Sequence, residues 1–144
     1  MTAPIQDMDP YRYISGSRPL LVSMPHVGTY IPPTLLAGMT DKARIVPDTD
    51  WHVDRLYDFL QGMGASIIQA THSRYVIDLN RPPDGQVLYP GASNTELCPT
   101  GLFDGGPIYK PGQAPDAAAV QDRLATYWRP YHDRLAAELA VLRR

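Results

Sequence analysis

The stretch Leu20-Leu21-Val22-Ser23-Met24-Pro25-His26-Val27-Gly28-Thr29-Tyr30 restricts the fold more than any other part of the chain. Its first five residues favour a short buried strand. Pro25 has no amide to continue a sheet ladder, so the strand is expected to stop there. Gly28 then softens the turn, and His26 is delivered to the carboxyl end of the strand, where ligands collect in open α/β sheets. An imidazole at that place can ligate a metal or exchange a proton near neutrality. It can also simply cap a loop by hydrogen bonding, and the stretch alone leaves both readings open.

Further along, Val53, Leu56, Tyr57, Leu60 and Met63 recur at helical spacing behind Pro47-Asp48-Thr49-Asp50. This predicts a helix capped by Asp48 or Thr49 and closed by Gly62 and Gly64. Asp50 and Asp54 are four apart and share a face beside the apolar stripe. Partnership with the positive helix end is the plain reading of both. Ser66–Ala70 predicts a second strand and Tyr75–Leu79 a third. Tyr11, Tyr13 and Ile14 suggest a short edge strand, and Thr34–Met39 one or two helical turns.

The Tyr75–Leu79 segment is chemically unusual, because Arg74, Asp78, Asn80 and Arg81 crowd its ends. Pro82 and Pro83 stiffen the backbone after Arg81 and lower the entropy cost of presenting a guanidinium fork to a carboxylate or phosphate. An internal Arg–Asp ion pair that ties the loop down is the competing reading. Residues 84–115 form a long Gly- and Pro-rich loop. Tyr89, Leu97, Phe103, Ile108 and Tyr109 give it enough apolar groups to pack as an ordered cover, with Cys98 as a small buried filler. From Asp116 onward, Val120, Leu124, Tyr127, Trp128, Tyr131, Leu135, Leu139 and Leu142 mark the core face of one amphipathic helix kinked at Pro130. His132 beside that stripe reads as structural.

The 144 residues are one domain's worth, spanning 1–144. No apolar run approaches a membrane span, and the N-terminus lacks the basic start and apolar core of a secretory signal. One cysteine fits a reducing cytoplasm. A net charge of −2 disfavours nucleic acid as a partner. Fifteen prolines, about twice the average usage, point to a loop-rich domain.

Taken together, Pro25-His26-Val27-Gly28, Asp48-Thr49-Asp50-Trp51-His52-Val53-Asp54, Ser73-Arg74-Tyr75-Val76-Ile77-Asp78-Leu79-Asn80-Arg81 and Tyr127-Trp128-Arg129-Pro130-Tyr131-His132 resemble the N-formylglutamate amidohydrolase family. The resemblance implies an α/β fold, a mixed sheet flanked by helices of the zinc-carboxypeptidase-like kind. It implies hydrolysis of the formamide bond of N-formyl-L-glutamate to formate and glutamate, late in histidine breakdown. The expected cofactor is Zn²⁺, with His26 and Asp50 as ligands and Asp54 as the rival of Asp50. Arg74, Asn80 and Arg81 are the expected contacts for a small-molecule substrate bearing carboxylates. His72 reads as a loop histidine. Members of that family run on past this length, and their third ligand and general base lie beyond it. The expectation is therefore an incomplete fold, with no catalytic residue identified within the chain and a tendency to self-associate. A non-catalytic binding module for acidic acylamino acids is the alternative function.

Overall fold

The computed structural model describes residues 9–51, 53–84 and 96–142, leaving aside the side chains of 54–57. Three short strands form one mixed sheet: β1 (Tyr11–Ile14), β2 (Leu21–Met24) and β3 (Ser66–Ala70). Their order is β1-β3-β2, with β1 antiparallel and β2 parallel to β3. The central position falls to β3, whose Ile67, Ile68 and Ala70 are buried. A near-continuous apolar run suits a strand covered on both faces.

Alternation along the strands divides the sheet between two cores. On one face Met24 and Ile67 pack with Ala65 against Val53 and Leu60 of helix α3 (Val53–Gly62). On the other, Ile68, Ala70, Tyr11, Tyr13 and Leu21 join the main core, which takes in Tyr131 and Leu135 of helix α5 (Arg129–Leu142). The Tyr131 hydroxyl bonds Ser23 Oγ at 2.7 Å and donates to the Ile68 carbonyl at 3.3 Å. That pins the helix to β2 and β3.

The expected edge strand and both strands flanking the central helix are present, with β2 one residue shorter than read. Between β2 and α3 lie two one-turn helices, α1 (Pro33–Leu36) and α2 (Asp41–Arg44). The second is capped by Thr40, whose hydroxyl accepts the Ala43 amide at 3.3 Å. One turn is too short for periodicity to register.

Several expectations are corrected. Tyr75–Leu79 is not a strand: its residues are buried in irregular backbone that bonds locally to Ser73 and, for other groups, to remote parts of the chain. The Asp78 amide donates to the Leu97 carbonyl at 2.7 Å and the Arg123 guanidinium to the Val76 carbonyl at 3.0 Å. Neither Asp48 nor Thr49 caps the central helix, which starts at Val53. The Thr49 hydroxyl instead donates back to the Val46 carbonyl at 2.8 Å. Phe103 does not pack inward with its loop neighbours but stands 62% exposed.

The terminal helix is built in three pieces. Helix α4 (Ala117–Arg123) is capped by Asp116, which accepts the Ala119 amide at 2.8 Å. A π-helical turn follows at Leu124–Trp128, where the Arg129 amide reaches back to the Leu124 carbonyl, and α5 completes the rod. Pro130 brings no amide donor, and the widening just before it absorbs that loss. Leu139, read as a core residue, is 46% exposed. Among the described residues no helix is long and apolar enough to cross a membrane. Residues 1–8 and 85–95, which hold the expected tail and part of the long loop, lie outside the described ones.

Candidate functional site

After Met24 the chain leaves the sheet for five residues and returns at Tyr30, which bridges His72 in parallel just past the end of β3. The Tyr30 amide donates to the Thr71 carbonyl at 3.1 Å and the Ser73 amide to the Tyr30 carbonyl at 2.8 Å. His26 sits on this excursion. Its loop is pressed against the end of β3 so closely that a Cβ on Gly28 would lie 2.3 Å from the His72 carbonyl oxygen. Only glycine fits there without backbone movement.

The His26 ring stands between two carboxylates. Nε2 is 2.6 Å from Asp78 Oδ1, and Nδ1 is 3.8 Å from Asp50 Oδ2. The backbones are tied as well, since the Asp50 amide donates to the His26 carbonyl at 2.9 Å. Asp78 is fully buried. Burial alone would raise its pKa. The hydrogen bond and charge of His26, the Asn80 amide and the Arg74 guanidinium outweigh that and hold the carboxyl below its ordinary value. An ionised carboxylate only accepts, so Nε2 is the donor of this bond and Nδ1 is the ring nitrogen left facing Asp50.

Arg74 closes the cluster. Its Nη2 is 3.4 Å from Asp78 Oδ2, and its Nη1 donates to the Asp48 carbonyl at 3.3 Å and lies 4.0 Å from Asp50 Oδ1. The Phe103 ring lies over this guanidinium, 4.8 Å from centroid to Cζ. Asp48 Oδ2 accepts from the Tyr75 hydroxyl and, at 3.1 Å, from the Phe103 amide. Burial, reinforced by Asp48, keeps the Tyr75 phenol protonated far above its usual range.

Two ligands bonded at about 2 Å to a tetrahedral zinc stand about 3.3 Å apart. The 3.8 Å between His26 Nδ1 and Asp50 Oδ2 is half an ångström wider, within reach of a small side-chain shift. A carboxylate on the far ring nitrogen is the usual orienting partner of a metal-bound histidine, and Asp78 stands in that position. The donors therefore fit one side of a zinc site. Among the described residues no three His, Cys, Asp or Glu side chains gather as a metal-binding group.

A family model described as N-formylglutamate amidohydrolase matches residues 18–144. The chain belongs to the N-formylglutamate amidohydrolase family. It is 52% identical over 128 residues to the N-formylglutamate deformylase of Pseudomonas aeruginosa and 48% identical to that of Pseudomonas putida. These matches take in 89% of this chain and 48% of each relative, so the chain spans about half the length of the curated relatives it matches. A crystal structure of N-formylglutamate amidohydrolase from Ralstonia eutropha JMP134 superposes with a TM-score of 0.75 at 27% identity. That superposition covers 94% of this chain and 52% of that one. A protein of Agrobacterium tumefaciens shares the fold at a TM-score of 0.64 and 21% identity, over 92% of this chain and 50% of its own.

Within this amidohydrolase-family chain, the structure brings His26, Asp50 and Arg74 into one cluster. Arg74, expected on the substrate, is taken up by Asp78 and the Asp48 carbonyl. Asn80 joins through its amide, which donates to Asp78 Oδ1 at 2.9 Å. Arg81 lies on a segment held from both sides. Its amide donates to the Asp78 carbonyl at 3.2 Å, and its carbonyl accepts the Trp128 indole at 3.0 Å. The side chain of Asp54, the rival ligand, lies outside the described residues. His72 is wedged between Tyr30 and Tyr127, its ring 5.0 and 4.5 Å from theirs, and His132 Nε2 donates to the Leu79 carbonyl at 2.7 Å. Both are packing residues. Burial pushes the Cys98 thiol up against the nearby Arg123, leaving it unsuited to attack.

Sequence reading missed Asp78 as the partner of His26, and it assigned Asp48 to a helix cap rather than to this cluster. A buried acid inside the apolar run Tyr75–Leu79 was the available signal for Asp78, since an unpaired carboxylate is too costly there. Val46 is a second determinant, visible only in the folded backbone. It is a buried β-branched residue at φ 46°, the strained left-handed region. That kink throws Pro47–Asp50 across to His26 and Arg74.

Proposed function

We propose that this chain supplies the metal- and carboxylate-binding part of an N-formylglutamate deformylase, which hydrolyses the formamide bond of N-formyl-L-glutamate to formate and glutamate. The observation that carries the reading is the His26 ring, oriented by Asp78 on one nitrogen and facing Asp50 with the other. His26 Nδ1 and Asp50 would hold a zinc ion. Zinc bound there would polarise the formamide oxygen and lower the pKa of a water to about 7.

The chain's own residues supply orientation and charge balance. Asp78 fixes the tautomer of His26. Arg74 sets a positive charge against the buried carboxylate of Asp78 and 4.0 Å from Asp50. Arg81, whose backbone is rooted by Trp128 and followed by two prolines, would supply the bidentate fork that suits a glutamate carboxylate. Holding the remote end of the substrate in this way turns binding energy into alignment of the formyl carbon.

The donor count favours a second reading, a non-catalytic module that binds acidic acylamino acids through the Arg81 side alone. One experiment separates the two. The chain is loaded with zinc, mixed with N-formyl-L-glutamate, and formate is quantified for the unaltered chain and for His26→Ala. Formate release that disappears in His26→Ala is the expected result. Binding of N-formyl-L-glutamate with no release, or release untouched by His26→Ala, overturns the hydrolytic reading.

A further inference from the structure

Phe103 is a large apolar side chain in an exposed position, 62% open to solvent, in a loop whose neighbours Leu102, Ile108 and Tyr109 are buried. It is not exposed because its turn is loose. The Leu102 amide donates to the Gly106 carbonyl at 2.7 Å and the Gly105 amide to the Leu102 carbonyl at 2.9 Å, with Gly105 at φ 95°. Asp104 accepts the Gly106 amide at 3.0 Å and pairs with Lys42. The turn is thus internally braced, and the Asp48 carboxylate anchors its tip by accepting the Phe103 amide.

The brace aims the ring at the functional cluster. The ring lies on the guanidinium of Arg74, which reaches to 4.0 Å of Asp50. Phe103 and the candidate ligand Asp50 therefore flank the same cation. Arg74 itself is nearly covered, at 8% exposure. The large exposure of Phe103 means that much of its ring remains open beside the half-exposed Asp50 carboxylate. A substrate with its formyl group at His26 and Asp50 would carry its side-chain methylenes past that surface.

We propose that Phe103 is a specificity-determining residue of this site, its open ring surface receiving the aliphatic side chain of an N-formyl amino acid, with Asp48 as the positioning residue that holds it there. The proposal rests on the N-formyl amino acid reading of the site. Burying methylenes against an aromatic face favours binding by an amount that grows with each group covered. A substrate without a side chain gains nothing from the ring.

The test compares N-formyl-L-glutamate with N-formylglycine as ligands of the zinc-supplemented 144-residue chain, titrated by calorimetry or by NMR shifts. Phe103→Ala is expected to weaken N-formyl-L-glutamate by about three- to tenfold and N-formylglycine by less than twofold. Phe103→Tyr keeps the ring and is expected to keep the preference. Asp48→Ala is expected to reproduce the selective loss, and Asp48→Asn, which retains an acceptor for the Phe103 amide, to recover most of it. Equal losses on both ligands make the ring a cover for Arg74 and overturn the proposal, as does no loss on either. An unaltered chain that binds neither ligand overturns the functional reading together with this one. A chain that binds and hydrolyses N-formyl-L-glutamate while indifferent to Phe103→Ala overturns this proposal alone.

Discussion

His26 Nε2 lies 2.6 Å from Oδ1 of Asp78, a carboxylate with no exposed surface and a pKa held below its ordinary value. The same carboxylate takes the Arg74 guanidinium on its other oxygen and the Asn80 amide on the first. One buried acid thereby sets the ring orientation of the candidate ligand and the position of the nearest cation.

Replacing that acid by its amide should be costly. Asp78→Asn keeps the shape but removes the closest and, among the described residues, only buried charge partner of Arg74, leaving Asp50 at 4.0 Å, which should destabilise the fold by about 3 kcal/mol. The pH dependence identifies the cause. The unfolded carboxyl takes up its proton near pH 3.9, and the folded one takes it up lower. The stabilisation is therefore full above the unfolded value and is lost as the pH falls through the folded one. Urea unfolding between pH 7 and pH 3 should show this acid loss in the unaltered chain and a flatter limb in Asp78→Asn. Parallel limbs would assign the acid sensitivity to other groups.

Zinc should bind weakly and be stripped readily by a chelator, because two protein donors make a poor cage. His26→Ala should remove the binding while leaving the far-ultraviolet circular dichroism unchanged. Asp78→Asn should weaken it by about 10- to 100-fold through the ring it orients. Tight zinc that survives His26→Ala would place the metal elsewhere.

Arg81→Lys keeps the charge and loses the planar fork. A hydrogen bond to a charged group contributes about 1.5–3 kcal/mol, so the affinity for N-formyl-L-glutamate should drop about 10- to 100-fold. The uncharged formyl amino acid amides should change little. Equal losses on both ligand types at unchanged melting temperature would make Arg81 a structural residue.

Gly28→Ala should destabilise the chain by about 2 kcal/mol, the scale of a forced overpacking. Its new methyl meets a carbonyl rather than a movable side chain. Because the same loop carries His26, zinc affinity should fall along with the melting temperature. A variant that melts lower yet binds zinc as before would show that the loop yields without re-aiming the ring.

The tail of α5 leaves Leu139 and Val141 at 46% and 55% exposure, and β1 and β2 are the two edges of the sheet. Apolar side chains and open edges of this kind invite association. Sedimentation velocity should show concentration-dependent dimers or larger species, and Leu139→Glu with Val141→Lys should shift them toward monomer. A single monomeric boundary at every concentration would speak against this.

Legibility followed periodicity. Leu21–Met24, Ser66–Ala70 and Val53–Gly62 announce themselves because one face or both are buried and the pattern is local. Tyr75–Leu79 misleads because its β-branched and aromatic residues favour a strand, whereas its hydrogen bonds go to Leu97 and Arg123, far along the chain. His26 was legible as a histidine behind a strand-ending proline. Asp50 was legible only as a member of an acidic cluster. What brings the two together is the left-handed turn at Val46, and no sequence rule places a valine there. Asp48 reads as a helix cap because acids before an apolar stripe usually are. Its true partners, Tyr75 and Phe103, come from segments that only the folded chain brings near.

The π-helical turn at Leu124–Trp128 has a bearing on how this chain tolerates change in length. Closing that turn to regular α geometry with every residue kept would swing everything downstream by about 100° about the helix axis. Arg123 would still reach Val76, whereas Tyr131 would lose Ser23 and His132 would lose Leu79. The surplus residue works like a phase shifter on a shaft: one rod meshes with the Val76 and Tyr109 region ahead of the widened turn and with the sheet behind it. Most substitutions along the exposed side of that rod should pass unnoticed; a single-codon deletion inside the widened turn should leave the helix engaged with the sheet, while one in the regular part of α4 would disengage it.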